Sequence, residues 1–132
     1  MSQKRIAVIP VIKKDKKCRV YLVTSRYKCK WIIPTGKHEK HLTDKEVALL
    51  EAYEEAGVGG HLDKSFCKSM NVVSPSGRKK RKTKLYLINV NKQFKNWPEK
   101  KQRRRKLVKI EKLDDFVCDK KLSRAIRSHL SC

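Results

Sequence analysis

Apolar residues gather in short runs along the first part of the chain. Ile6 to Ile12, Val20 to Thr24 and Trp31 to Ile33 are rich in Val and Ile, with polar, basic stretches between them, and they predict three β-strands joined by turns. Pro10 has no N–H to give to a ladder, which predicts an edge or a bulge at that point. The period then changes. From Thr43 or Asp44 to Ala56 the spacing predicts a helix: Thr43 and Asp44 can cap its first turn, Glu46 lies where the macrodipole favours an acid, and Gly57 supplies the stop. Phe66 to Val73 and Leu85 to Val90 are two further strand candidates. They flank Ser74-Pro75-Ser76-Gly77 and the basic run Arg78 to Lys82, which predicts a long, strongly positive hairpin. Leu107 to Ile110 predicts a short last strand, and Leu122, Ala125, Ile126 and Leu130 recur at helical spacing behind Asp119 as a cap. Strands interrupted by one central helix and closed by another predict an α/β (α+β) sandwich around a mixed sheet. No repeat and no Pro/Ser/Gly-rich linker divides the chain, so residues 1–132 are expected to form a single domain.

Composition narrows the classes. The 132 residues carry 35 Lys and Arg against 13 Asp and Glu, a formal charge of +22, yet 39% are hydrophobic, enough to bury a core and to exclude a chain disordered by composition. A field of that sign attracts polyanions: nucleic acid, anionic membrane or a multiply phosphorylated small molecule. The run Ile6 to Ile12 has neither the cleavage region of a signal peptide nor the length of a membrane span. Cys18, Cys29, Cys67, Cys118 and Cys132 are odd in number and scattered, without a C-x-x-C pair, a pattern that predicts a reducing, cytoplasmic setting.

Candidate chemistry concentrates on the central helix, where Glu51, Glu54 and Glu55 stand at i, i+3 and i+4. At 100° per residue they share one stripe, with Leu49, Leu50, Ala52, Tyr53 and Ala56 on the opposite arc. Like charges so spaced repel by a few tenths of a kcal/mol per pair, roughly, unless cationic side chains or a metal ion offset them. Taken alone, the helix reads most simply as a solvated acidic face. Its setting favours metal: six of the thirteen acids lie between Glu39 and Glu55, the oxygen-rich environment that hard divalent cations require. Just before them, Trp31-Ile-Ile-Pro-Thr-Gly36 is an apolar strand breaking into a turn, able to aim backbone carbonyls at the same ion.

The run Gly36 to Val58 resembles the Nudix box, G-x5-E-x7-R-E-U-x-E-E-x-G-U, with Gly36, Glu51, Glu54, Glu55, Gly57 and Val58 on its fixed positions. The resemblance implies a Nudix-like α/β/α sandwich and a Mg²⁺- or Mn²⁺-dependent hydrolase of phosphoanhydrides. It implies that Glu51 and Glu55 are metal ligands, Glu54 a metal ligand or the water-activating base, and the carbonyl of Thr35 or Gly36 a further ligand. Leu42, Leu50 and Ala52 depart from the box, and a Leu42–Leu50 contact is expected in place of its loop-to-helix ion pair.

Three basic clusters bear on the substrate: Lys4-Arg5, Arg78 to Lys82, and Lys100-Lys101 with Arg103 to Lys106. Val20-Tyr-Leu-Val-Thr-Ser-Arg26 leading to Trp31-Ile-Ile-Pro, and Asn96-Trp-Pro-Glu99 followed by Arg103-Arg-Arg-Lys106, are similar to the diphosphoinositol and diadenosine polyphosphate phosphohydrolase branch. That likeness implies phosphate contacts from Lys4, Arg5, Ser25, Arg26 and Arg103. Arg78 and Lys80 join them by charge and location only. A basic nucleic-acid-binding protein on a Nudix-like scaffold is the alternative from another class, and capped RNA or another nucleoside diphosphate derivative the alternative substrate. His38 and His41 read as surface residues, Trp97 as packing rather than a base-stacking platform, and Cys67 and Cys118 as packing.

Overall fold

The computed structural model describes residues 4–27 and 29–130; Cys132 lies outside them. A seven-stranded mixed sheet is built from β1 (Arg5–Lys14), β2 (Lys17–Thr24), β3 (Trp31–Ile32), β4 (Thr35–Lys37), β5 (Val58–Val73), β6 (Lys80–Gln93) and β7 (Arg105–Lys109). Its central path runs β3-β2-β1-β6-β5, with β4 on β1 and β7 on β2; only the β1–β6 pairing is parallel. β1 is buried on both faces, which is why its apolar run is continuous rather than alternating. Ala7, Ile9 and Val11 enter a core closed by Leu113, Leu122, Ile126 and Leu130 from the 3₁₀ turn Ile110–Asp115 and helix α2 (Lys120–His129). Ile6 and Val8 enter a second core, under helix α1 (Asp44–Ala56).

The sheet forks. β1 pairs with β2 from Val11 to Lys14 and with β4 from Arg5 to Ala7, so the two partners leave it in opposite directions. Pro10 stands at the fork. The N–H of Val8 donates to Pro34 O at 3.0 Å, and because N–H groups alternate sides along a strand, the nitrogen of Pro10 faces that same side, where the ladder is interrupted. A proline therefore fits a central strand by occupying an edge inside the sheet.

Helix α1 begins as expected, with Thr43 accepting from Glu46 N and Glu46 accepting from Thr43 N in a complete capping box, and ends at Gly57 with φ 65°. Its buried arc differs from the expected one. Val47, Ala48, Ala52, Glu55 and Ala56 face the sheet, whereas Leu49 and Tyr53 face outward at 36% and 38% exposure, Tyr53 resting edge-on against Phe94. The small residues at 48, 52 and 56 let the helix lie close to the strands. Ala52, where the box has a bulky aliphatic residue, is fully buried, and Leu42 packs against the same core.

Three further differences have local causes. β4 was invisible as a strand because Pro34-Thr35-Gly36 has turn chemistry, and it forms only by pairing with β1. β5 and β6 extend beyond their apolar centres because each saturates the other's backbone along the hairpin. Cys118 is not a packing thiol: it forms a disulfide with Cys29, 89 positions away in sequence, with Cα atoms 5.7 Å apart, while Cys67 is exposed.

Candidate active site

Glu51 and Glu55, one helical turn apart, bring their carboxyls close enough at the inner edge of α1 for each to act on the other's titration. Glu55 is only 3% exposed and accepts a hydrogen bond from the Thr35 N–H at 3.3 Å, so the edge of β4 forms the wall opposite the helix. Burial raises both carboxyls above the ordinary carboxylate range; for Glu55 the Glu51 carboxyl raises it further, against the opposing pull of Arg103. Gly36 completes the cradle: a Cβ there would lie 2.5 Å from Glu51 Oε1, so only glycine lets β4 approach the carboxyl. Paired carboxyls on one helix edge, walled by backbone, fit a hard divalent cation. Among the described residues no three acidic, His or Cys side chains converge into an ion cage, and Glu54 acts on the pair through its charge, which pushes Glu51 up further. Its carbonyl accepts from Glu99 N at 3.0 Å.

Arg103 links this pair to open space. Its Nη2 lies 3.9 Å from Glu55 Oε2, its Nε donates to Glu99 Oε1 at 2.7 Å and its Nη1 to Thr24 O at 2.8 Å. The guanidinium therefore stands between the buried carboxyls and the end of β2. A cleft of about 420 Å³ opens there, within the fork of the sheet, and its walls include Arg5, Ser25, Arg26, Thr35 and Arg103. The structure thus brings these five sequence-predicted residues together.

The other predicted contacts divide. Arg78 lines an adjoining cleft of about 360 Å³ with Lys79 and Arg81, and Arg5, Tyr27 and Pro75 belong to both clefts. Lys80 lines neither. Side chains alternate along β6, and Arg81 shares the face of Thr83 and Leu85 whereas Lys80 points to the other side; counting back from the buried Leu85 would have selected Arg81. Lys4 is held at 2.6 Å by Asp44, on the first turn of α1, away from the cleft walls. His38 also reaches Asp44, at 3.0 Å. Tyr27 and Gln102 also line the main cleft, and nothing in their spacing marks them; Glu99, the end of the Asn96-Trp-Pro-Glu99 run, lines it too.

The carboxyl end of α1 is fixed from outside the helix, whose last turn has no basic residue. Arg105 Nη1 donates to the carbonyls of Ala56 at 3.0 Å and Gly57 at 3.1 Å, and Trp97 Nε1 to that of Glu55 at 3.1 Å. The guanidinium stacks on the indole, 4.2 Å from its centroid. A Cβ on Gly57 would meet Trp97 Cδ2 at 2.6 Å and Arg105 Nη1 at 2.8 Å, so glycine is required for space as well as for its left-handed backbone. Trp97 is packing here, and the packing holds the carboxylates in place.

Comparison with known proteins bears on the family and the fold. The chain is 30% identical over 111 residues to diphosphoinositol polyphosphate phosphohydrolase 3-beta of Homo sapiens, a match covering 82% of this chain and 65% of that protein. It is 31% identical over 111 residues to diphosphoinositol polyphosphate phosphohydrolase 2 of Mus musculus, covering 82% of this chain and 59% of that protein. The chain thus spans less than two thirds of the length of these relatives. Among solved structures, an Ap4A hydrolase of C. elegans superposes with a TM-score of 0.74 over 96% of this chain and 95% of that one, at 16% identity. RenU, a Nudix hydrolase of M. smegmatis, superposes at 0.69 over 98% and 88%, at 12% identity. At these identities the superpositions show the shared fold. No protein-family model matches the chain.

Proposed function

We propose that this chain, which belongs to the Nudix superfamily and within it to the branch of the diphosphoinositol polyphosphate phosphohydrolases, hydrolyses a phosphoanhydride bond of a highly phosphorylated small molecule. The substrate is of the diphosphoinositol polyphosphate or diadenosine polyphosphate type. One observation carries the reading: a carboxyl pair, the half-buried Glu51 and the buried Glu55, is joined through Thr35 and Arg103 to a cleft walled by Arg5, Arg26 and Arg103. Acids alone would repel a polyphosphate, and arginines alone would bind it without turnover.

Glu51 and Glu55, with the backbone of Thr35 or Gly36, would hold Mg²⁺ or Mn²⁺. The ion supplies charge neutralisation at the phosphoryl oxygens and acidifies bound water. Arg5, Arg26 and Arg103 hold the phosphates through charge-assisted hydrogen bonds, and Ser25 adds a hydroxyl at the end of β2. Glu54 accepts the proton of the attacking water as the P–O bond of the anhydride breaks, and the leaving phosphate departs with the bridging oxygen. Arg103, 3.9 Å from Glu55 and held by Glu99 and the Thr24 carbonyl, presents its positive charge to the cleft.

The test is phosphate release with Mg²⁺ and with Mn²⁺ from a panel of diphosphoinositols, diadenosine polyphosphates and sugar nucleotides, comparing wild type with Glu54→Gln. Turnover confined to the polyphosphates and lost in the variant supports the assignment; equal turnover in both rejects Glu54 as the base.

A further inference from the structure

We propose that Tyr27 is a specificity-determining residue, a stacking platform for the nucleobase of a nucleoside polyphosphate whose phosphate chain lies in the two adjoining clefts. The proposal rests on the phosphohydrolase reading above and narrows its substrate class. Tyr27 is the most exposed large apolar residue among those described, at 63%, and it stands on the wall shared by both clefts, beside Arg5 and Pro75. A single exposed ring is ordinary on a protein surface. The loop that carries this one is held in place. Its backbone N–H donates to Ser25 Oγ at 2.9 Å, the Ser25 N–H donates to Lys30 O at 2.7 Å to close the loop, and the Cys29 N–H donates to Pro75 O at 2.9 Å on the tip of the β5–β6 hairpin. The Cys29–Cys118 disulfide ties the same loop to the start of α2.

A ring at the mouth of a cationic cleft adds something the arginines cannot. Arginines bind phosphates whatever the phosphates are attached to, whereas a phenol ring favours a group with a π face and little charge. Purines have that face and stack on aromatic side chains. An inositol ring is saturated, and its phosphates would be satisfied by Arg5, Arg26, Arg78 and Arg81 without Tyr27. The clefts meet at Tyr27, so a nucleotide with its base on the ring places its phosphate chain against cations on either side.

Calorimetry in EDTA, where no turnover intervenes, tests this with ATP and inorganic tripolyphosphate, which carry the same number of phosphates. Wild type and Tyr27→Phe are expected to bind ATP about tenfold more tightly than tripolyphosphate, the size of one base stack. Tyr27→Leu, which keeps apolar bulk and removes the π face, is expected to bind both alike. A wild type that fails to favour ATP, or a Tyr27→Leu protein that still favours it, overturns the proposal. Hydrolysis is read separately: wild type without turnover on any polyphosphate rejects the phosphohydrolase reading and leaves the binding comparison intact.

Discussion

At its N-terminus α1 is closed by its own residues, through the Thr43–Glu46 capping box, whereas its last carbonyls are closed by Arg105, 49 residues beyond Ala56 in sequence, and by Trp97. The first arrangement forms wherever the helix forms. The second exists only after β7 has paired with β2 and brought Arg105 across the sheet. The carboxyl pair, the Gly36 cradle and Arg103 all belong to the second end. The chemistry therefore sits where the helix depends most on the rest of the fold, and its geometry is a tertiary property.

Substitutions can separate the two ends. The largest effect is expected from Glu55→Gln: Mg²⁺-dependent turnover falls by at least about a hundredfold, since one of the paired oxygen donors is lost. Its metal-free form melts no lower than wild type, because the amide imitates the protonated carboxyl that burial already favours; differential scanning with and without Mg²⁺ reads both effects. Gly57→Ala forces a side chain into a left-handed backbone against Trp97 and Arg105. It should cost about 2 kcal/mol or more in a urea titration and reduce turnover at the same time. Thr43→Ala should cost about 1 kcal/mol and leave turnover of the folded protein unchanged within about twofold. Equal loss of turnover in these last two variants would erase the distinction between the ends.

The smallest effect is a pH dependence at the N-terminal end. The Lys4 hydrogen bond, with help from His38 and Lys84, holds Asp44 at about 2. A folded value below the unfolded one gives stability that is present above the ordinary Asp range, near about 4, and is lost as pH falls toward 2. Asp44→Asn should flatten that part of an acid titration of Tm. Asp63, held at about 2 by Ser65 and His129, should continue to titrate in the variant.

Legibility in the sequence followed the same division. The Val and Ile runs, the Thr43 cap, the Gly57 stop and the Asp119 cap are local signals, and each stands where its residues placed it. β4 was missed because its pairing with β1 is the only thing that distinguishes it from a turn. The burial of Glu55 was missed because a helical wheel groups acids by charge, whereas the helix packs through Ala48, Ala52 and Ala56 and turns Leu49 and Tyr53 outward. The Nudix box located the carboxylates and Gly36. The basic runs located the second cleft but not its side chains: Arg81 rather than Lys80 faces it, a fact of strand alternation that charge counting does not carry.

Pro10 gives the opened sheet a chemical origin. A zipper of N–H and C=O groups tends to close until it meets a tooth that is missing, and Pro10 is a missing tooth on the side of β1 from which β2 and β4 diverge. With Val at that position β2 could add another rung and narrow the groove, although no wall residue would have changed. One donor absent from β1 thus stands at the point where β2 and β4 part.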